Sequence, residues 1–563
     1  MISLALHRSA KPARPKGRGI KPIGTKYIKI FLRCLAILFV VFSSNCYSEI
    51  QASDELFRLR LESLHENRTS GIASNPQSIQ TFYEVFGFRK IWVSPGVNKL
   101  TNIGESFFEM LNSAQEYGLD KNDYNFETIN ALISTESISN GASNDLELQI
   151  TESFLLFSLH LKTGKLGAES LIPKWVVTNE FSQFIAKEIL ETYEFKISLL
   201  ISALEPKSPT YHSLKLALSQ AKEISFKGWL QPPRSILKLG MSGDDVLQFR
   251  RLLKSSGYLQ EESSAHSLFD QATREAVVKF QTDHNLKADG MVGLQTLKLL
   301  LSLIHGNYDI LRVNLERWRW MPESIEKDYI KVNIADFSLS YYQDSKEKLI
   351  MKTIVGRDYR KTPVFNDSIR YVVINPSWSV PHKIASIDLL PKIQSDPQYL
   401  EKNKMKLYKG WGEKSLAINP TEINWMSISA KNFPFRITQE PGPQNALGLV
   451  KFMFPNIHDV YLHDTNNRVL FDEPDRAFSS GCIRVEKPIE LLMLLMERYT
   501  NNTSLATQSI IASNRETSIH LKRPLPIFIE YWTAWQGTDS RIHYRHDLYE
   551  RDKNVLKGLN ASR

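Results

Sequence analysis

The chain has 563 residues, 42% apolar and 10% aromatic: too long for a single core and too apolar for a disordered chain, so two to four domains are expected. Its net charge of +9 has one source, because residues 1–48 hold nine Lys or Arg and no acid, while the remainder carries 61 basic against 61 acidic residues. With no basic surface left over, nucleic-acid binding drops out.

The first predicted element is an export leader at 1–48. Its basic lead-in runs to Arg33 and is followed by the apolar stretch Cys34–Phe42, which is shorter than the ~20 residues of a membrane span. Cleavage is expected after Ser48 or Ala52; an uncleaved leader would associate the chain with the inner membrane. Phe42-Ser-Ser-Asn45 is a poor lipoprotein signal before Cys46. Removing the leader leaves Cys482 as the one cysteine of an exported chain, where cysteines normally pair. It is therefore an inert buried residue or a reactive thiol.

Residues 49–232 read as a helical scaffold, with Phe107, Met110, Leu111 and Ala114, then Leu155, Leu156 and Leu159, at helical spacing. Gln231-Pro-Pro233 marks a boundary. Within 233–302, Asp244 or Asp245 is placed to cap a helix with Val246, Phe249, Leu252 and Leu253 inward. Phe269–Gln281 and Asp289-Gly290 to Thr296 follow as a second helix and a turn. In order and composition this stretch resembles a small three-helix peptidoglycan-binding module; a helical domain without ligand is the bland alternative.

From 329 to 508 the texture is β-rich. Tyr329–Ile334, Ser338–Tyr342, Arg370–Ile374, Gly448–Phe454 and Asp459–Leu462 read as strands, and a helix begins near Lys487-Pro488. Residues 381–440 read as an insertion on this sheet, and 509–563 as a C-terminal extension.

The chemistry-bearing residues lie late in this region. His463 stands in Val-Tyr-Leu-His-Asp-Thr and Cys482 in Ser-Ser-Gly-Cys-Ile-Arg. An imidazole can take the thiol proton and return it to a leaving amine. Gly481 permits an awkward turn with free N–H groups for an oxyanion, and Arg484, two residues beyond Cys482, shares its face on a strand and suits a carboxylate. Taken singly each is unspecific: a lone Cys is more often core, and a lone Arg an ion-pair partner. His458 and His463 lack a third ligand of convincing spacing, so no metal is expected.

Together, Tyr461-Leu-His-Asp-Thr465 and Arg476-Ala-Phe-Ser-Ser-Gly-Cys-Ile-Arg-Val485 resemble the L,D-transpeptidase (YkuD-type) catalytic motif. Asn314–Pro322, Ile354–Arg357, Asn375–Trp378, Pro441–Gly448 and Lys451–Asn456 extend the resemblance to the large Gram-negative branch of that family. It implies a multidomain α+β protein: a helical scaffold, the small three-helix module and a β-rich catalytic domain with a capping insertion. It further implies Cys482 as nucleophile, His463 as acid/base, and Arg484, Tyr461, Ser480, Gly481 and, more loosely, Trp378 around the substrate. The implied reaction, in the periplasm and without cofactor, forms 3→3 cross-links between peptidoglycan stem peptides, donor and acceptor, with loss of D-Ala. Carbapenems are expected to acylate the same thiol, and cell-wall synthesis enzymes are expected partners. Water, a lipoprotein lysine or a D-amino acid as acceptor stays open, as does a non-catalytic wall-binding scaffold.

Overall fold

The computed structural model describes residues 55–64, 75–94, 99–135, 139–193, 195–226, 236–259, 267–283, 286–410 and 415–563. The expected leader, with Cys34 and Cys46, and the Gln231-Pro-Pro233 boundary lie outside them. No helix among the described residues is long and apolar enough to cross a membrane.

Among the described residues two compact units emerge, one drawn from those within 55–108, 125–155 and 176–197, the other from those within 109–124, 156–175 and 198–563. The segment 49–232 is thus shared between them rather than forming one body. The first unit is helical and organised around Glu147, a fully buried carboxylate. It accepts hydrogen bonds from the amides of Ile91 (2.7 Å) and Val93 (2.8 Å) and from the Tyr83 hydroxyl (2.7 Å). Such pairing offsets the cost of burying a charge-bearing group.

In the second unit, helices Asp244–Ser255, Gln271–Asp283 and Leu294–Arg319 enclose a core of Val246, Phe249, Leu253, Phe269, Val277 and Phe280. The cap of the first is Gly243, without a side-chain bond; Asp244 and Asp245 sit in its first turn, where the helix dipole favours them. The expected boundary at 302 falls inside a continuous 26-residue helix. Its last turns carry buried charge in ion pairs, although Arg319 Nε has no hydrogen-bond partner. Glu316 pairs with Arg319 at 3.1 Å and accepts from the Leu166 amide at 2.7 Å, and Arg317 pairs with Asp552 at 2.7 Å. Nearby, Lys165 holds Asp123 (2.6 Å) and the carbonyls of Leu559 and Ala561 (both 2.8 Å). Buried His160 uses both ring nitrogens, toward the Tyr124 hydroxyl (2.9 Å) and the Lys174 carbonyl (2.7 Å).

The β-rich region has fifteen strands: β1 (Tyr329–Asn333), β2 (Ser338–Gln343), β3 (Lys346–Gly356), β4 (Phe365–Ile374), β5 (Trp378–Ser379), β6 (Met405–Lys409), β7 (Leu416–Ile418), β8 (Phe435–Gln439), β9 (Val450–Met453), β10 (Leu462–His463), β11 (Ala477–Ser479), β12 (Ile483–Val485), β13 (Thr517–Glu530), β14 (Ala534–Gln536) and β15 (Ile542–Tyr544). Nine of them form a sheet in the order β11-β3-β12-β10-β9-β4-β13-β1-β2, with β2 also pairing β3. The helix Pro488–Tyr499 packs Leu491, Leu492, Leu495 and Met496 into the core of this sheet.

Two expectations meet the structure differently. The strands β5, β8, β6 and β7 form a separate four-stranded sheet within 381–440 and its flanks, over a core that includes Val380, Leu389, Ile393, Leu407 and Ile437. The boundary at 508, however, does not hold. β13, with Leu525, Ile527 and Ile529 fully buried, lies between β4 and β1, so the supposed C-terminal extension supplies an interior strand of the catalytic sheet.

Candidate active site

The site is built by strand register. β10 runs parallel to β12 with Leu462 opposite Ile483 and His463 opposite Arg484, and the Ile483 amide donates to the Tyr461 carbonyl at 3.1 Å. Side chains alternate along a strand. Leu462, Ile483 and Val485 therefore enter the core, each at 0% exposure, and Tyr461, His463, Cys482 and Arg484 share the opposite face. Antiparallel pairing of His463 with Lys451 on β9 adds that lysine to the same face.

Cys482 is half-buried at the end of a tight turn between β11 and β12. Gly481 holds φ +119, a left-handed conformation that side-chain-bearing residues rarely adopt. Its N–H is not free, contrary to expectation: it donates to Ser479 Oγ at 3.1 Å, and that hydroxyl donates to the Cys482 carbonyl at 2.5 Å. The Cys482 thiol points toward the Asp459 carbonyl at 3.7 Å.

Burial pushes the Cys482 thiol above its ordinary range, while hydrogen bonds from the backbone and phenol of Tyr461 and the charges of Lys451 and Arg484 favour the thiolate. Burial, and then the charge of Cys482, raise the Tyr461 phenol. His463 is buried, and burial followed by the Arg484 charge pulls its imidazole down to about 3. Its Nδ1 faces the Asp464 carbonyl at 2.5 Å, which assigns the proton to Nδ1 and leaves Nε2 as a lone-pair base. No hydrogen bond joins this ring to Cys482 Sγ; Tyr461 is the residue across from the thiol. Asp464 is held in turn by the Leu449 amide (2.9 Å) and Arg468 (2.9 Å). It packs so closely on Gly448 (φ +61) that a Cβ there would lie 2.3 Å from its carboxyl carbon.

Arg484 is the anomaly of the site. Its Nε is buried without a partner, burial and the neighbouring Arg357 depress its pKa, and no described carboxylate acts on it. A half-buried guanidinium with no acid beside it is the kind of group that pairs with an anion. Among the described residues no group of three His, Cys, Asp or Glu could hold a metal ion.

Of the expected residues, the register brings Cys482, His463, Tyr461 and Arg484 onto one face, with Ser480 and Gly481 in the adjoining turn. Trp378 goes elsewhere: it pairs with Gln439 in the insertion sheet and packs against the insertion core. Several supports escaped sequence reasoning. The Thr362 hydroxyl donates to the Gly481 carbonyl at 2.8 Å and accepts from the Gly356 amide at 2.9 Å. The Tyr549 hydroxyl donates to the Gly356 carbonyl, and its own amide donates to the Tyr531 hydroxyl at 2.8 Å. Arg357 and Lys451 carried a signal, since both stand in the quoted motif runs; Tyr549 carried none.

The site belongs to a cysteine-bearing β-sheet domain, and comparison with known proteins shows what that domain is similar to. Residues 327–521 match the family model "L,D-transpeptidase catalytic domain" (YkuD), 77–218 "Scaffold domain" and 242–300 "Putative peptidoglycan binding domain". The chain therefore carries a YkuD-type L,D-transpeptidase catalytic domain together with those two accompanying domains. A Haemophilus influenzae protein named "Putative L,D-transpeptidase" is 36% identical over 245 residues, 44% of this chain and 48% of the relative, so the chain spans about half the length of the curated relative it matches. Solved L,D-transpeptidases from Xylanimonas cellulosilytica (13% identity, covering 53% of this chain and 100% of that one, TM-score 0.16) and Stackebrandtia nassauensis (11%, 52% and 94%, TM-score 0.16) are also similar. TM-scores this low carry no argument.

Proposed function

We propose that the protein is an exported L,D-transpeptidase that works through a cysteine thioester on peptidoglycan stem peptides. The observation that carries this reading is the half-buried Arg484 with a buried, unpartnered Nε and no acid, on the same face as Cys482 and the neutral base His463. Cys482 Sγ attacks the carbonyl of the third residue of a tetrapeptide stem, and its proton passes toward His463 Nε2. Collapse of the tetrahedral adduct breaks the peptide bond to the terminal D-Ala, whose amine leaves with that proton. The amine of a neighbouring stem's third residue then attacks the thioester, gives up a proton through His463, and forms the 3→3 link as the thiol is regenerated. The bond energy is held in the thioester, so no nucleotide is consumed.

Arg484 binds a stem carboxylate in this scheme, with Tyr461 at the sulfur and Ser480 and Gly481 shaping the turn. The periplasm supplies the substrate. Intact-mass and product analysis with purified protein and tetrapeptide muropeptides tests the reading. A thioester adduct with loss of D-Ala, followed by a cross-linked dimer, is the expected result, and Cys482→Ala should show neither. Release of tripeptide alone would make the acceptor water; no adduct at all would remove the assignment.

A further inference from the structure

Three successive contacts bracket the nucleophile turn from one short segment. The Arg357 amide donates to the Ser479 carbonyl at 3.1 Å, Arg360 Nη1 donates to Ser480 Oγ at 2.8 Å, and Thr362 Oγ1 donates to the Gly481 carbonyl at 2.8 Å. The backbone takes part as well, because the Arg360 carbonyl lies 4.0 Å from the place a Gly481 Cβ would occupy. The middle contact leads further. The same Nη1 also donates to Asp388 Oδ2, and Nη2 donates to Asp388 Oδ1 at 3.1 Å, which makes a two-pronged ion pair. Asp388 belongs to the helical turn Ile384–Leu389 of the insertion, whose neighbours Ala385, Leu389 and Leu390 are buried in the insertion core.

We infer that Arg360 is a positioning residue through which the insertion sets the geometry of the Cys482 turn. A planar guanidinium holding a carboxylate with both terminal nitrogens has little freedom left, so the nitrogen shared with Ser480 Oγ is placed by where Asp388 stands. The pair is half-shielded, with side-chain exposures of 17% and 29%, so water competes with it only in part. Ser480 precedes the strained Gly481, and a small displacement there is passed directly to Cys482. Displacements of about 1 Å at a reacting group can cost ~10²-fold in rate. Movement of the insertion, whether thermal or on substrate binding, therefore alters the nucleophile's alignment through one side chain.

This assignment rests on the transpeptidase reading for its kinetic consequence, but not for the coupling itself. The test uses the full chain in wild-type, Asp388→Asn, Arg360→Lys and Arg360→Ala forms. Two measurements are made on each: tetrapeptide turnover, separated into kcat and KM, and amide hydrogen exchange of the segment around Ser479–Ile483. Asp388→Asn, remote from the thiol, should speed exchange of the turn several-fold and lower kcat about tenfold with little change in KM. Arg360→Ala should lower kcat by ~10², and Arg360→Lys should recover part of that. Unchanged turn exchange in Asp388→Asn, with the insertion core as protected as in wild type, would overturn the coupling. A wild-type protein that does not turn over tetrapeptide defeats the transpeptidase reading instead, and the exchange comparison still decides the role of Arg360.

Discussion

Two charged regions of this molecule differ in one respect, whether their arginines face an acid. Around the end of the helix Leu294–Arg319, Arg319 meets Glu316, Arg317 meets Asp552, and both nitrogens of His160 are bonded. On the Cys482 face, Arg484 has no acid and His463 has a bond on one nitrogen only. Both regions hold shielded cations and a neutral imidazole, so shielding alone does not separate them. The presence of an acid does: Arg317 and Arg319 each face a carboxylate and Arg484 faces none, although Arg319 Nε and Arg484 Nε alike are buried without a hydrogen-bond partner.

The two histidines give the largest contrast. His463→Ala should leave a folded protein whose tetrapeptide turnover is reduced by about 10²–10⁴-fold. His160→Ala should leave per-molecule turnover of the folded fraction near wild type and show its effect in the thermal midpoint. Equal loss of turnover in both variants, at matched folded fraction, would erase the distinction.

The arginine networks come next. Glu316→Ala strands the Arg319 guanidinium in the interior and should cost about 3–5 kcal/mol in denaturant unfolding. Arg484→Met removes a charge that has no partner, so stability should be unchanged or higher by up to ~2 kcal/mol, while turnover falls by ~10². Arg484→Lys should keep part of the activity, since it retains the charge but loses the two-pronged fork. A destabilised Arg484→Met protein would show that a structural partner holds this residue.

Acid sharpens the comparison further. Burial pulls both His160 and His463 down to about 3. An unfolded histidine takes up its proton near pH 6.5 and the folded one does not, so each contributes stability that is complete above that pH and lost as pH falls toward 3. Each should add a slope of about 1.4 kcal/mol per pH unit in that window. Replacing either residue by Gln should remove one such increment, to be read from denaturant midpoints between pH 4 and 7.

The smallest effect concerns the resting thiol. With Cys482 raised and His463 lowered, the free enzyme holds thiol and neutral imidazole rather than an ion pair. Iodoacetamide labelling should then climb about tenfold per pH unit from 6 to 8, without a plateau. A plateau below pH 7 would mean that the ion pair forms before substrate arrives.

The legible parts of this protein were the ones governed by local pattern. Period-two alternation gave β1 and β2, a β-rich run gave β9, the apolar face of Pro488–Tyr499 gave that helix, and the motif residues Cys482 and His463 lie on one face of neighbouring strands. What escaped depends on pairing between distant segments. Thr517–Glu530 lies in what the sequence offers only as a C-terminal extension, and its place in the sheet comes from pairing with β4 and β1. Tyr549 gains its role by reaching the Gly356 carbonyl, which no spacing rule anticipates. Trp378 shows the converse, a motif residue whose packing lies in the insertion.

The interior position of β13 also bears on how the chain acquires its reactive thiol. The strand between β1 and β4 is the last of the nine in sequence, so the sheet cannot close until nearly all of the polypeptide has been delivered. Pairings of such long sequence separation form slowly, because chain-closure entropy is lost before contacts repay it. Tyr549, which braces the Gly356 end of β3, arrives later still. A chain interrupted before Thr517 would keep the β9, β10 and β12 segments that carry Cys482 and His463 and lack the strand that closes the sheet between β4 and β1.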